Sequence, residues 1–243
     1  GDIGLRLENN KIVTTVVGDG VDPFGDAEER VFEAVLDDFE SGADADIFSP
    51  PPTGLTGTEN FVTNLPGFDT SAGLFSTGST VGIDITTPTL LSESLMRFDG
   101  SGLVSTAVDL QASFDTSFTR TDGTNSGSAI LSLPVFSSGL GEQDAGRWHR
   151  HYVWALYEGL DGNSGDLLAP SNGVYVLELD VVTDESGIDA SDPLFIVFGV
   201  GVPESQTDAA LEYVENNVVP EPTSALALLA GAGLIAVRRR RRA

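Results

Sequence analysis

Short runs of β-branched, aliphatic and aromatic residues recur along residues 1–218, broken roughly every ten positions by clusters of Gly, Ser, Thr, Asp and Asn. Side chains alternate across a strand, so each run can line a sheet face while the polar clusters supply turns. The pattern predicts strands at Ile3–Leu7, Lys11–Val17, Arg30–Phe39, Thr80–Ile85, Leu103–Leu110, Ala129–Phe136, Arg147–Tyr157, Gly173–Val182 and Leu194–Gly199. Most connections are too short for parallel crossovers, which argues against a doubly wound sheet. Two stretches carry helical spacing instead. Pro88 opens one in which Leu91, Leu95 and Phe98 share a helical face, predicting a short helix over Thr87–Phe98. Ser205 with Asp208 makes a capping-box-like start to another, Ser205–Val218, striped by Leu211, Val214 and Val218. Ser41–Gly73, with Pro50-Pro51-Pro52 and many Gly and Thr, reads as a long surface loop. The expected fold is mainly β: one antiparallel β-sandwich or jelly-roll-like domain over residues 1–218 with one or two short helices, followed by a C-terminal hydrophobic helix.

That last segment is Ser224–Val237, fourteen residues without a charge. As a helix it would span about 21 Å against a hydrocarbon core of roughly 30 Å, which suits brief rather than permanent anchoring. Arg238–Arg242 follow it and would stay on the cytoplasmic side, leaving everything upstream outside. Ahead of it stands Val219-Pro220-Glu221-Pro222, a stiff extended segment that a processing enzyme could grip. In this order the three parts resemble the PEP-CTERM sorting signal of bacterial surface proteins, over residues 219–243 alone. The resemblance implies export and processing by a membrane-embedded exosortase at Val219, Pro220, Glu221 and Pro222. It also implies a transient membrane stop at Arg238, Arg239, Arg240, Arg241 and Arg242, and delivery to the cell surface or extracellular matrix of bacteria that make exopolysaccharide. Gly1 in place of an initiator Met fits removal of an upstream signal peptide.

Charge narrows the body's function. Thirty-seven acids stand against twelve basic side chains, a net charge of −25, and five of the twelve are the terminal arginines. The remainder, seven against thirty-seven, carries −30, which excludes nucleic acid as a partner. With no Cys, disulfide scaffolds and thiolate metal sites are excluded too, and Lys11 follows Asn10 rather than the Gly of a P-loop. The G-x-S-x-G, S-x-x-K and H-E-x-x-H motifs are absent. Among so many acids any carboxylate pair can be chosen, so the sequence gives a hydrolase no specific support.

Candidate chemistry concentrates in Arg147–Tyr157, which holds both histidines and both tryptophans. On a strand, His149 and His151 share a face and can reach one metal ion, imidazole suiting Zn, Cu, Fe or Ni. A third ligand must then be oxygen, and Glu178 on the following strand, with Asp180 beside it, is the candidate. Against this, Arg147 and Arg150 would repel a cation, and Glu158 lies too far after His151 for the cupin spacing. Trp148, Tyr152 and Trp154 on the opposite face read either as a stacking platform for glycans such as exopolysaccharide or as the core face; burial decides. Asp19, Asp22 and Asp26, Asp44 and Asp46, and Asp161, Asn163 and Asp166 offer oxygen ligands suited to Ca2+, although Asx residues also make turns unaided. The expected function is an exported, surface- or matrix-associated protein without enzymatic activity. Metal or glycan binding is the alternative, with a hydrolase behind both.

Overall fold

The computed structural model describes residues 2–17, 27–34, 61–137 and 144–220, together with residues 36, 47, 49–51, 55 and 59. Its first strands are β1 (Ile3–Glu8), β2 (Lys11–Val16), β3 (Val31–Ala34), β4 (Val62–Thr63), β5 (Phe68–Thr70), β6 (Thr80–Asp84) and β7 (Leu95–Phe98). There follow β8 (Leu103–Val104), β9 (Asp109–Phe114), β10 (Ser117–Arg120), β11 (Ile130–Pro134), β12 (Val153–Tyr157), β13 (Gly173–Thr183), β14 (Leu194–Val200) and the helix α1 (Glu204–Asn217). The protein is thus mainly β, and its pairings are antiparallel except for β1 with β5 and β14 with β3.

The strands form three sheets: β2–β1–β5, β10–β9–β12–β4, and a seven-stranded sheet ordered β11–β6–β13–β14–β3, with β7 on β13 and β8 on β7. Asn9 and Asn10 close the β1–β2 hairpin with φ of 52° and 64°, the left-handed pair that a two-residue turn needs to match strand twist. Strand β13 is the spine. Residues 173–179 pair with β14 on one edge, while the other edge is shared by β7 at 174–177 and β6 at 180–183. Alternation along β13 and β14 sends Tyr175, Leu177, Leu179, Ile196 and Phe198 into the main core. Val174, Val176, Phe195 and Val197 face the other way, where Ala210 and Val214 of α1 cover them. The helix sits close: a Cβ on Gly199 would lie 2.5 Å from Thr207 Oγ1.

All three sheets meet around aromatic rings. Trp154 of β12 lies 6.4 Å from Phe68 of β5 and 6.5 Å from Phe198 of β14, ring centre to ring centre. Its indole N–H donates to the Pro66 carbonyl at 3.2 Å, satisfying a buried donor.

Several elements differ from the expected ones. No helix forms over Thr87–Phe98; Leu95–Phe98 is strand β7, so Leu95 enters the main core while Leu91 and Phe98 join the cluster under α1. The preceding turn is held by a distant acid: Glu178 accepts the backbone N–H groups of Thr89, Leu90 and Leu91 at 2.5, 2.9 and 2.5 Å. The expected strand Leu103–Leu110 splits into β8 and β9, because Thr106 turns its hydroxyl onto the Val108 N–H. Only Val31–Ala34 of Arg30–Phe39 and Val153–Tyr157 of Arg147–Tyr157 are strand among the described residues. Within the expected surface loop, residues 61–70 are buried throughout and contain β4 and β5. Helix α1 agrees with the periodic stripe but starts after Pro203, with no side-chain cap bond. The predicted C-terminal helix, Ser224–Val237, lies outside the described residues. Among those described, no helix is long and apolar enough to cross a membrane.

Asp180 faces Asp84 across the β13–β6 pair, and its buried Oδ1 has no hydrogen-bond partner. Burial, then the charges of Glu178, Asp84 and Asp192, push its pKa up to about 6, with Arg30 opposing. The folded state therefore keeps a proton that the unfolded chain releases near pH 4, and stability falls as pH rises from about 4 to about 6. The full shift is worth about 3 kcal/mol, and solvent screening at this half-exposed site reduces the expectation to about 1 kcal/mol. Asp180→Asn should raise stability at pH 7 by that amount and flatten the loss between pH 4 and 6, read from urea unfolding across that range. An unchanged pH profile would refute the repulsion.

Candidate metal centre and the processing segment

Three chain segments lie side by side at one edge of the core. Ile3 of β1 pairs with Phe68 of β5, and Phe68 exchanges backbone hydrogen bonds of 2.8 and 2.9 Å with Arg150. The residues flanking these partners are therefore neighbours: Asp2 before Ile3, Gly67 before Phe68, and His149 and His151 on either side of Arg150. Alternation turns both imidazoles toward Asp2.

His149 Nε2 lies 3.0 Å from His151 Nε2 and 3.1 Å from Asp2 Oδ2, and the remaining side of the triangle measures 3.6 Å. Among the described residues this trio alone brings three potential ligand atoms together. His151 is 1% exposed and His149 8%, whereas the Asp2 side chain retains 17%. Two of the three groups are oriented by neighbours outside the trio. His151 Nδ1 sits 3.2 Å from the Asn64 carbonyl, and Gly67 donates its N–H to Asp2 Oδ1 at 3.2 Å. Burial works against the Asp2 charge, but hydrogen bonds from His149 and His151 and the positive charge of these rings when protonated outweigh it, holding the carboxyl well below the usual carboxylate range. Gly67 also makes room: a Cβ there would lie 2.7 Å from His151 Cε1. The two arginines are committed elsewhere. Arg147 forks onto Asp69 at 2.8 and 2.6 Å, and the buried Arg150 donates to the His149 and Pro134 carbonyls with its guanidinium 4.1 Å from the centre of the Phe136 ring.

Glu178 does not join the histidines. Strand β13 is not a sheet neighbour of β12, and the Glu178 carboxylate is occupied by the Thr89–Leu91 backbone. Asp2 takes that place, and the sequence offered no signal for it, since it stands 147 positions from His149. The glycan platform is also corrected. Trp148, Tyr152 and Trp154 are fully buried, so no sugar can stack on them. Of the calcium candidates, Asp161 makes an Asx turn: its Oδ1 accepts the N–H groups of Asn163 and Ser164, which lowers its pKa. Asp19, Asp22, Asp26, Asp44 and Asp46 lie outside the described residues.

At the other end, Val218 caps α1, and Val219 donates its N–H to Val214 O at 3.0 Å and packs on the cluster under the helix. Pro220 is the last residue described; Glu221, Pro222 and Arg238–Arg242 lie beyond it. Residues 218–242 match the family model of the PEP-CTERM protein-sorting motif. The motif marks an exported protein sorted by an exosortase to the cell envelope or surface. No curated protein and no solved structure matches the chain.

Proposed function

We propose that the chain is a non-enzymatic protein of the bacterial cell surface or extracellular matrix, a folded acidic β domain handed over by its C-terminal signal. The observation that carries this reading is the junction between fold and signal. Helix α1 ends at Asn217 and the sorting motif begins at residue 218. Cleavage within the Pro220–Pro222 segment would thus leave the helix, its Val218 cap and the sheet beneath it intact. Exopolysaccharide is the matrix component proposed to surround it. The charge of residues 1–218, seven basic side chains against thirty-six acids or −29, would keep copies apart unless divalent cations bridge them.

The test is expression of the full chain in a bacterium with an exosortase, beside a Pro220→Ala/Glu221→Ala/Pro222→Ala variant. The wild type should reach the surface or medium without Arg238–Arg242, and the variant should stay full-length in the membrane fraction. Intact arginines on surface material, found by mass spectrometry, or identical fates for both chains would overturn the proposal.

A further inference from the structure

We propose that Asp2, His149 and His151 bind one divalent transition-metal ion, Zn2+ being the ion that their donors suit best. The separations among the three ligand atoms are those of groups sharing an ion. The point equidistant from them in their own plane lies about 1.9 Å from each, so an ion at ordinary Zn–N and Zn–O lengths of about 2.0–2.2 Å sits just out of that plane.

Proton bookkeeping points the same way. The Asn64 carbonyl can only accept, so His151 Nδ1 carries a hydrogen, and release of the Nε2 proton as a cation arrives would leave that nitrogen's lone pair directed into the triangle. Asp2 Oδ1 is taken up by the Gly67 N–H, which leaves Oδ2 aimed at the histidines. His151 Nε2, Asp2 Oδ2 and His149 Nε2 thus converge on one point. A cation there satisfies all three at once. The Asn64 and Gly67 contacts are the outer bonds that fix tautomer and rotamer in imidazole and carboxylate metal sites. Three protein ligands leave a fourth position for solvent, and the partly exposed Asp2 gives an ion its way in. Bound there, the ion would tie the start of β1 and the Gly67 turn to the His149–His151 segment, joining stretches far apart in the chain.

The experiment uses the full chain made without a polyhistidine tag, stripped with chelator and titrated with Zn2+ by calorimetry and with Co2+ by visible absorption. We expect one equivalent of each, the intense d–d bands of low-coordinate Co2+, and a higher Tm with Zn2+ bound. Asp2→Asn and His151→Gln should each weaken binding by more than about 100-fold, and Gly67→Ala, by displacing His151, by about 10–100-fold. Glu178→Gln should leave the affinity unchanged. Asp2→Asn keeps size and shape, so its metal-free Tm and circular dichroism separate loss of the site from loss of the fold. A folded wild type that takes up no Co2+, or binding that Asp2→Asn and His151→Gln leave intact, would overturn the assignment.

Discussion

Trp154→Ala should destabilise the protein by about 3–5 kcal/mol, the range for removing a large aromatic side chain from a packed core. The indole is fully buried and touches a ring from each of the other two sheets, Phe68 and Phe198, besides Tyr152 at 6.0 Å. Cutting it to a methyl group opens a cavity where three sheets meet and leaves the Pro66 carbonyl without its donor. A domain of this size is typically stable by about 5–15 kcal/mol, so the loss is a large share of the total. Trp154→Phe keeps most of the volume and should lose less than half as much. Denaturant unfolding followed by far-ultraviolet circular dichroism measures both. A loss below about 1 kcal/mol for the alanine variant would mean that the sheets are not joined through this ring.

Glu178→Ala comes next, at about 3 kcal/mol. The carboxylate is 2% exposed and accepts three consecutive backbone N–H groups as well as the Thr89 hydroxyl at 3.1 Å. Hydrogen bonds to a charged group are worth more than neutral ones, and a buried donor left without an acceptor costs about 1–3 kcal/mol. The turn can open toward water, which keeps the sum below three separate penalties. Amide hydrogen exchange gives the specific signature, because protection at Thr89, Leu90 and Leu91 should disappear while β13 stays protected. Unchanged exchange at those three amides would show that the carboxylate does not hold the turn.

The β runs were legible because burial on one face imposes a period of two, and β1, β2, β6, β11, β13 and β14 stand close to where that period places them. The helical reading of Thr87–Phe98 failed for a physical reason. Leu91, Leu95 and Phe98 fit a helical spacing, but the apolar faces they meet lie on opposite sides of one sheet. Residues 61–70 read as surface because Thr63, Asn64, Asp69 and Thr70 are polar. The fold buries them by supplying partners, as Arg147 does for Asp69 and the Trp148 N–H does for Thr70 Oγ1 at 2.7 Å.

By itself the sequence determined the sorting signal, since a short linear motif followed by an apolar run and five arginines is complete without any fold. It also determined the mainly β class and the shared face of His149 and His151, both consequences of strand geometry. Only the tertiary structure decided what stands opposite those histidines. The β1–β5–Arg150 alignment brings up Asp2 and Gly67, and strand order carries Glu178 away to the Thr89–Leu91 turn. Local periodicity states which side of a strand a residue faces. What it meets there depends on which strands pair, and that is settled by burial and hydrogen bonding summed over the whole chain.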